Sequence, residues 1–271
     1  MKFSIVTISY NQAQFLERAI KSVLGQPGVQ IEYIVVDPGS TDGSRTIIEK
    51  YREKISVPIF ERDKGPADGL NKGFAAASGD ILGYLNSDDF YLPGALEKVS
   101  SYFARNPDAD VVVGHGYVVD AEGRPLRRFR SPPFSAYRFA YGHSYVLQQS
   151  TFFRRQAFEK AGGFNIANRT SWDGELVLTM AMQGAKIKVI PEYLSAFTIH
   201  AGSITGSGAT QAESLRTHDR YFELVMGRKR ARRDLLLGYL ARTQKYFADP
   251  MNPVIRLLDL TVGPKLPVPP P

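Results

Sequence analysis

Apolar strand-like segments alternate with amphipathic helix-like segments through the first 114 of the 271 residues, and this alternation constrains the fold more than any other feature. Four segments are rich in β-branched and aromatic residues and have the composition of buried strands: 3–10, 31–36, 57–60 and 81–85. Between the first two, residues 15–24 place apolar side chains on one helical face. This alternation predicts an α/β fold with a mostly parallel sheet flanked by helices.

The alternation weakens after residue 114. We predict an Arg-, Pro- and Tyr-rich loop and then, in order, a strand, two helices, two strands and one long basic helix: 120–143, 145–153, 156–161, 173–183, 187–190, 195–200 and 213–247. The main domain then comprises two halves, followed by a basic helical extension and a Pro-rich tail: 1–114, 115–205, 206–263 and 264–271. The composition of the tail predicts disorder.

Polar residues follow three of the four predicted strands. Ser9 and Tyr10 end the first, Asp37 follows the second, and 86–89 (Asn-Ser-Asp-Asp) follows the fourth. Ligands of open α/β sheets bind beyond the carboxyl ends of the strands, so these side chains should meet at one crevice. The first strand is followed by neither a Walker-type loop nor a glycine-rich dinucleotide fingerprint, which argues against both of those nucleotide sites.

The acids of this crevice have two interpretations each. Adjacent Asp88 and Asp89 repel one another unless a cation compensates, and a hard divalent ion with oxygen ligands would do so, whereas the same residues are also common in ordinary turns. Asp37 either accepts hydrogen bonds from a base or ribose or belongs to a turn. Because the chain has no cysteine, any metal ion would be held by carboxylates, histidine or solvent.

Two residues of the second half are further candidates. Asp173 begins an amphipathic segment, where a carboxylate either takes a proton from a hydroxyl or complements the positive end of a helix. His200 ends a strand-like run, and its imidazole either completes a metal site with Asp88 or is a structural histidine.

The formal charge of +7 is concentrated in two clusters, which are 124–130 and 228–233. Basic clusters of this kind favour an anionic partner: nucleic acid, anionic lipid or substrate phosphate. No aromatic-interleaved nucleic-acid module is present, so we expect no nucleic-acid partner and favour a lipid surface or a lipid-linked acceptor. A solvated helix or an oligomer contact explains the 228–233 cluster equally well.

No segment approaches the roughly 18 apolar residues that span a bilayer. Residues 1–10 have the pattern of a strand rather than of a signal peptide. We therefore expect a cytoplasmic protein, peripheral at the inner face of the membrane if the basic helix contacts lipid.

Taken together, these motifs resemble the family 2 glycosyltransferases, which have the GT-A fold. The resemblance covers roughly residues 2–205 and rests on the order and spacing of six segments: 4–12, 32–43, 63–65, 71–73, 78–80 and 85–89. It implies a Rossmann-like nucleotide-binding half, an acceptor half and a C-terminal helical extension.

The resemblance also implies roles for individual residues. Donor-binding residues would be Ile8, Ser9, Tyr10, Asp37, Asp63, Lys72, Asn86 and Ser87. Asp88 and His200 would bind the metal, Mn²⁺ or Mg²⁺, and Asp173 would be the catalytic base. Gln149, Ser150 and Trp172 would lie on the acceptor side.

The chain departs from the family pattern at three positions. Asn86 stands where the metal-binding signature has its first acid, and Pro38 stands where many relatives carry a second acid after Asp37. Trp172 replaces an acid that often precedes the base, which makes Glu175 the reserve candidate for that role.

The implied activity is metal-dependent, inverting transfer of a sugar from a nucleotide-diphosphate sugar to a hydroxyl of a glycan or lipid-linked acceptor, in polysaccharide or glycoconjugate biosynthesis. We expect a UDP-sugar, with guanosine and thymidine diphosphate donors as alternatives. Two other functions stay open, a catalytically inactive nucleotide-sugar binding module and a sugar nucleotidyltransferase. The second is disfavoured because no glycine-rich basic loop follows the first strand.

Overall fold

Nine strands form one mixed sheet in the computed structural model, which describes residues 1–203 and 211–267, with 211–216 described by their backbone alone. The strands are β1 (Lys2–Ile8), β2 (Gln30–Val36), β3 (Val57–Ile59), β4 (Ile81–Asn86), β5 (Phe90–Tyr91), β6 (Val111–Val119), β7 (Pro125–Phe129), β8 (Thr151–Arg154) and β9 (Ile187–Thr198). The helices are α1 (Ala13–Leu24), α2 (Ser44–Lys50), α3 (Pro66–Ala75), α4 (Ala95–Arg105), α5 (Ala136–Ala140), α6 (Arg155–Ala161), α7 (Trp172–Met182), α8 (Gln211–Met226), α9 (Asp234–Ala248) and α10 (Met251–Thr261).

The strand order is β3-β2-β1-β4-β8-β6-β9-β5. Strand β7 lies off this path and pairs with β6. Strands β1 to β4 pair in parallel, as the alternating pattern predicts. Strand β8 then lies antiparallel between β4 and β6, while β9 is parallel to β6. The predicted α/β fold is confirmed as a mixed sheet flanked by helices, and its parallel part is concentrated in the first half of the chain.

Helices cover both faces of the sheet because successive side chains of a strand point to opposite sides. Phe3 and Ile5 of β1 pack with α1, α2 and α4, whereas Val6 packs with α3, α6 and α7. Both layers are dominated by buried aliphatic and aromatic side chains, and they hold the strand ends in place.

The second half differs from the predicted elements in three ways. The 120–143 segment contains β7 and α5. Residues 148–150 form a single 3₁₀ turn, so β8 begins only at Thr151. The two strands predicted at 187–190 and 195–200 are one strand, β9. The register of β9 against β6 shifts near Pro191, and this shift accommodates a residue that has no N–H to donate to the ladder.

The predicted helix at 213–247 is two helices, α8 and α9. Gly227 ends α8 in a left-handed conformation, with φ of 66°, which glycine adopts at little cost. The Asp234 carboxylate then accepts hydrogen bonds from Ala231 N (2.6 Å) and Arg228 Nη1 (2.7 Å) and so fixes the turn. The 228–233 cluster therefore lies in a connection between helices.

The C-terminal helices pack against the second half of the sheet domain through α5 and α8, where the Tyr221 ring lies 5.3 Å from that of Phe139. The predicted boundary at 205 falls outside the described residues. Of the tail predicted to be disordered, 264–267 are described, and Leu266 packs against a buried cluster that includes Phe90, while 268–271 lie outside the described residues. Among the described helices, none is both long and apolar enough to cross a bilayer.

A polar cluster joins β1, β2 and the segment before β4 on the amino-terminal side of these strands. The Glu32 carboxylate accepts hydrogen bonds from Lys2 Nζ (2.7 Å), Ser4 Oγ (2.5 Å), and both Ser78 N and Ser78 Oγ (2.6 Å each). Burial alone would raise the pKa of Glu32, but these donors hold it at about 2, below its ordinary 4.5.

Because the folded-state pKa of Glu32 is depressed, its contribution to stability is full above the unfolded-state value and is lost as pH falls from about 4.5 towards 2. We expect Glu32→Gln to cost about 2–3 kcal/mol at pH 7 and to flatten the acid dependence of unfolding. Urea unfolding between pH 7 and pH 2.5 measures both effects. Glu53→Gln, at an exposed position, is the matched control, and an equal pH slope in the two variants would contradict this assignment.

Candidate active site

The carboxyl ends of β2, β1 and β4 lie level and side by side. Ile8 is paired in register with both Val36 and Asn86. Just beyond these ends, Ser9 N donates to Val36 O (2.9 Å) and Ser87 N donates to Ile8 O (3.1 Å). The structure thus places five of the predicted donor-site residues along one edge: Ile8, Ser9, Asp37, Asn86 and Ser87.

Three buried polar atoms along this edge have no hydrogen-bond partner in the described part of the chain: Ser9 Oγ, Asp37 Oδ2 and Asn86 Oδ1. Buried polar atoms are nearly always paired, so a cluster of unpaired ones indicates a ligand or solvent that the protein is built to meet. The Tyr10 ring is 62% exposed beside them and is free to stack on a planar group.

Asp37 serves the turn and the crevice at once. Its Oδ1 accepts hydrogen bonds from Gly39 N (2.9 Å) and Ser40 N (2.8 Å), which is the turn role considered from the sequence. Its Oδ2 is one of the unpaired atoms. The turn therefore orients a buried carboxylate whose second oxygen has no hydrogen-bond partner among the described residues.

Asp63 lies just before α3, and Lys72 lies in the last turn of that helix. A Cβ at Gly69 would come within 2.7 Å of Asp63 Oδ2 and 3.5 Å of Ile8 Cγ2, so the glycine lets Asp63 approach the end of β1. Burial raises the pKa of Asp63. Lys72 Nζ donates to the carbonyl of Arg62 and lies 3.7 Å from Glu61 Oε2, so in this structure it ties α3 to the preceding loop.

Asp88 and His200, the two predicted metal ligands, are in direct contact. His200 Nε2 lies 3.1 Å from Asp88 Oδ2, and their side chains are 11% and 12% exposed. Phe15 of α1 holds the imidazole, with ring centroids 4.6 Å apart. Asp88 and His200 are 112 residues apart in the sequence. They meet because β9, which precedes His200, pairs with β6 and β5.

The neighbouring Asp89 is fully buried and internally bonded. It accepts hydrogen bonds from Gln149 Nε2 (2.5 Å) and Thr198 N (2.9 Å). Burial raises the pKa of both acids, and the negative charge of Asp88 raises that of Asp89 further. Asp89 therefore orients the turn, and Asp88, which is also buried, contacts His200.

Arg18 supplies a cation behind this acid pair. Its Nη2 donates to Asp88 O and Thr198 Oγ1 (3.1 Å each), its Nη1 donates to Ala121 O (3.2 Å), and its guanidinium lies 4.8 Å from the Phe90 ring centroid. Its positive charge opposes the effect of burial on both aspartates. Arg18 contacts the backbone of the turn, whereas the Asp88 side chain contacts His200.

The Asp88–His200 pair fits a divalent cation as a two-ligand site. Carboxylate oxygen and imidazole nitrogen suit Mn²⁺ and, for the oxygen, Mg²⁺. In the described residues, no group of three or more His, Asp or Glu side chains is arranged to hold a metal, so the remaining ligands would come from the substrate and solvent. A cation would also offset the electrostatic cost of burying two adjacent acids.

Asp173, the predicted base, begins α7 on the face of the sheet that carries Tyr84. Burial, and after it the charge of Asp173, raises the pKa of Tyr84. Because Tyr84 and Asn86 are two residues apart on β4, they share this face with Asp173. Burial also raises the pKa of Asp173 itself. Trp172 is buried in the same cluster as Tyr84, and its Nε1–H has no partner among the described residues.

Glu175, the reserve candidate, is occupied by a network. Its carboxylate accepts hydrogen bonds from Asn165 Nδ2 (3.0 Å), Asn168 Nδ2 (2.5 Å) and Arg220 Nη2 (2.6 Å). These contacts tie α7 to the preceding loop and to α8. Asp173, which has no such side-chain partners in the described part of the chain, is the better placed of the two acids.

Gln149 and Ser150, predicted on the acceptor side, are buried behind the acid turn. Gln149 donates to Asp89, and Ser150 Oγ donates to His115 O (2.8 Å) and lies 2.7 Å from Ser195 Oγ. In this structure both side chains position the site from inside the sheet. The adjacent Gln148 links Tyr84 O to Asn86 Nδ2 and so orients Asn86 at the crevice.

Similar sequences are found among known proteins. The sequence profile described as Glycosyl transferase family 2 matches residues 4–162. The chain is 30% identical over 222 residues to the uncharacterized glycosyltransferase alr2836 of Nostoc sp., covering 78% of this chain and 68% of that protein. It is 34% identical over 135 residues to the putative teichuronic acid biosynthesis glycosyltransferase TuaG of Bacillus subtilis, covering 49% and 53%.

The fold is also similar to solved structures. The 1–349 fragment of S. aureus TarS in complex with UDP-GlcNAc matches with a TM-score of 0.69 at 19% identity, covering 98% of this chain and 77% of that one. The chain spans about two thirds of the length of alr2836 and about half that of TuaG.

The contacts of Arg18 predict a loss of stability when the guanidinium is removed. We expect Arg18→Met to cost about 2–4 kcal/mol, because buried acceptors lose their donor and two buried acids lose their cation. Arg18→Lys should recover part of this, since it keeps the charge but not the fork. Arg52→Met, at an exposed position, should change stability by less than about 0.5 kcal/mol. Urea unfolding of the three variants tests this, and equal stability of Arg18→Met and Arg52→Met would refute it.

Proposed function

Since this chain belongs to the family 2 glycosyltransferases, we propose that it transfers a sugar from a nucleotide-diphosphate sugar to an acceptor hydroxyl, with inversion at the anomeric carbon and with Mn²⁺ or Mg²⁺. One observation carries the proposal. The level ends of β2, β1 and β4 bring three buried polar atoms, unpaired among the described residues, to the same edge as the Asp88–His200 pair.

The donor would lie across the carboxyl ends of these strands. The exposed ring of Tyr10 offers a stacking surface for the base, next to the backbone of Ile8 and Ser9. The free oxygen of Asp37 suits a ribose hydroxyl or a base N–H, and Asn86 Oδ1 suits a second hydroxyl. Uridine is the base we propose, and the fold shared with TarS, whose structure was solved with UDP-GlcNAc, supports that choice.

The metal would be held by Asp88 and His200 together with oxygens of the donor diphosphate. When bound there, a divalent cation neutralises charge that develops on the departing nucleoside diphosphate. The protein's own contribution is to hold Asp88 against His200, through the contacts that Asp89, Thr198 and Arg18 make with the turn.

Asp173 would act as general base. In its ionised form it accepts the proton of the acceptor hydroxyl, the hydroxyl oxygen forms a bond to the anomeric carbon, and the bond from that carbon to the diphosphate oxygen breaks. Attack from the face opposite the leaving group inverts the anomeric configuration. A carboxylate whose pKa is raised by burial is a stronger base than an exposed one.

The acceptor would belong to polysaccharide or glycoconjugate synthesis, which the similarity to TuaG supports. A glycan or lipid-linked acceptor fits a cytoplasmic enzyme that works at the inner face of the membrane. Within the 228–233 cluster, however, Arg228 pairs with Asp234 and Arg230 with Asp219. Only Lys229, Arg232 and Arg233 are left to face a lipid surface from that segment.

The proposed donor site predicts metal-dependent stabilisation by one nucleotide. We expect a saturating nucleoside diphosphate with Mn²⁺ to raise the melting temperature by about 5 °C, because a ligand at a hundredfold excess over its Kd stabilises by about 2.7 kcal/mol. A thermal-shift screen of UDP, GDP and TDP measures this. Asp88→Ala should abolish the metal dependence, whereas Asp108→Ala, at an exposed turn, should retain it. No shift with any of the three would sink the donor assignment.

The proposed base predicts a specific kinetic change. Asp173→Asn should lower kcat by about 10²–10⁴-fold while donor binding is retained. Because burial raises the pKa of Asp173, wild-type kcat should rise with pH through a pKa above the ordinary aspartate range, and this limb should vanish in the variant. Steady-state rates from pH 4 to pH 8 test it. Glu175→Gln is the control and should keep the limb, so loss of the limb in that variant would reassign the base.

A further inference from the structure

A strongly basic cleft lies away from the candidate active site, between β7, the segment before the 3₁₀ turn, α9 and α10. Its volume is about 420 Å³. We call it the basic cleft, and its Arg and Lys side chains are Arg127, Arg128, Arg130, Arg242, Lys245 and Arg256. Three aromatic rings also line it, those of Phe129, Tyr145 and Tyr246.

Two of these six cations hold the cleft together. Arg128 Nε lies 2.6 Å from Asp259 Oδ1, and Arg130 Nη2 lies 3.1 Å from Asp249 Oδ1. The aspartate side chains are almost fully buried, so these ion pairs fasten the ends of α9 and α10 to the segment that begins with β7. These two ion pairs therefore fix the walls of the basic cleft relative to one another.

The other four cations have no carboxylate within 4 Å among the described residues: Arg127, Arg242, Lys245 and Arg256. Their charges crowd one another. Burial, and after it Arg256 and Arg242, lowers the pKa of Lys245, and Arg256 likewise lowers that of Arg127. Burial, Lys245 and Arg242 lower the pKa of His143 at the same cleft. Such a concentration of unpaired positive charge is complementary to a multiply charged anion.

An exposed apolar face adjoins the basic cleft on the same two helices. On α9, Leu235 (72% exposed) and Tyr239 lie on the helical stripe that continues through Arg242 and Tyr246. On α10, Leu260 (85% exposed) lies one turn beyond Arg256. Of the nineteen exposed large apolar side chains in the described part of the chain, twelve fall within 235–262. Scattered exposed apolar residues are ordinary, but this concentration on α9 and α10 indicates a contact surface.

We propose that α9 and α10 seat this chain on an anionic lipid bilayer, with the apolar face in the headgroup boundary and the basic cleft around the phosphate of a lipid. Helices with an apolar face flanked by Arg and Lys bind membranes in this way. The exposed apolar face distinguishes this site from a surface that binds nucleic acid, where phosphate contacts need no exposed aliphatic side chains. The inference rests on the proposed membrane-side location but not on the donor chemistry.

The location differs from the 228–233 cluster that the sequence suggested. Two arginines of that cluster are paired with aspartates, whereas the other four cations of the basic cleft have no carboxylate within 4 Å in the part of the chain that the structure describes. The lipid contact therefore lies on α9, α10 and β7.

Vesicle co-sedimentation of the full chain tests the proposal. The wild-type chain should sediment with phosphatidylglycerol vesicles and not with phosphatidylcholine vesicles. Arg242→Glu combined with Lys245→Glu should weaken partition by at least about tenfold, since each basic residue near an anionic surface contributes to binding. Leu235→Ser combined with Leu260→Ser should also weaken it. Arg52→Glu combined with Lys54→Glu, both exposed and in the α2–β3 connection, makes the same change in net charge and should leave partition within about twofold.

A second probe identifies the ligand of the basic cleft. Dodecyl phosphate below its micelle concentration should bind wild type at least about tenfold more tightly than inorganic phosphate, because the alkyl chain adds apolar burial. Equal binding of the two phosphates would overturn the lipid assignment in favour of a free phosphate. So would equal vesicle binding of the cleft variant and its charge-matched control, or a dimer in light scattering that covers the apolar face and leaves no vesicle binding.

The UDP thermal shift separates this inference from the proposed enzymatic function. All three double substitutions lie outside the donor edge and should leave that shift unchanged. Vesicle binding without any nucleotide shift would support the lipid site while the donor assignment fails.

Discussion

The register of the central parallel strands is the constraint on which the rest of the structure depends. Ile8 is level with Val36 on one side and with Asn86 on the other, so three chain segments leave the sheet at the same height. A slip of one residue in either pairing would turn every buried side chain of that strand to the opposite face. The two apolar layers therefore fix the position of the crevice as firmly as they fix the core.

The acid turn after β4 shows how the two halves of the domain are joined. Asp89 is bonded to Gln149 and to Thr198, and Arg18 reaches the same turn from α1. Elements of the first half and the second half of the sheet domain thus share one set of buried hydrogen bonds. Such a network is costly when incomplete and rigid when complete, which suits a turn that must hold Asp88 and His200 in contact.

The sequence allowed prediction of β1 to β4, the crevice and most of its edge, because parallel strands end in polar residues where a ligand binds. Arg18 was missed, since one basic residue beside the apolar stripe of α1 looks like any solvated position, and only the return of β9 reveals its partners. The burial of Gln149 and Ser150 depends on the antiparallel insertion of β8, which no local pattern encodes. The break between α8 and α9 rests on Gly227 and on the aspartate that follows it, signals that the long run of basic residues obscured.

The last described residues have a mechanical consequence. Leu266 packs against the cluster that contains Phe90 and Ala196, so the chain that leaves β9 returns to the sheet after α10. Helices held at both ends have lost most of the freedom that a dangling extension would keep. These helices therefore hold a fixed position relative to the sheet. The fold itself sets the distance between the crevice and any surface that the helices contact.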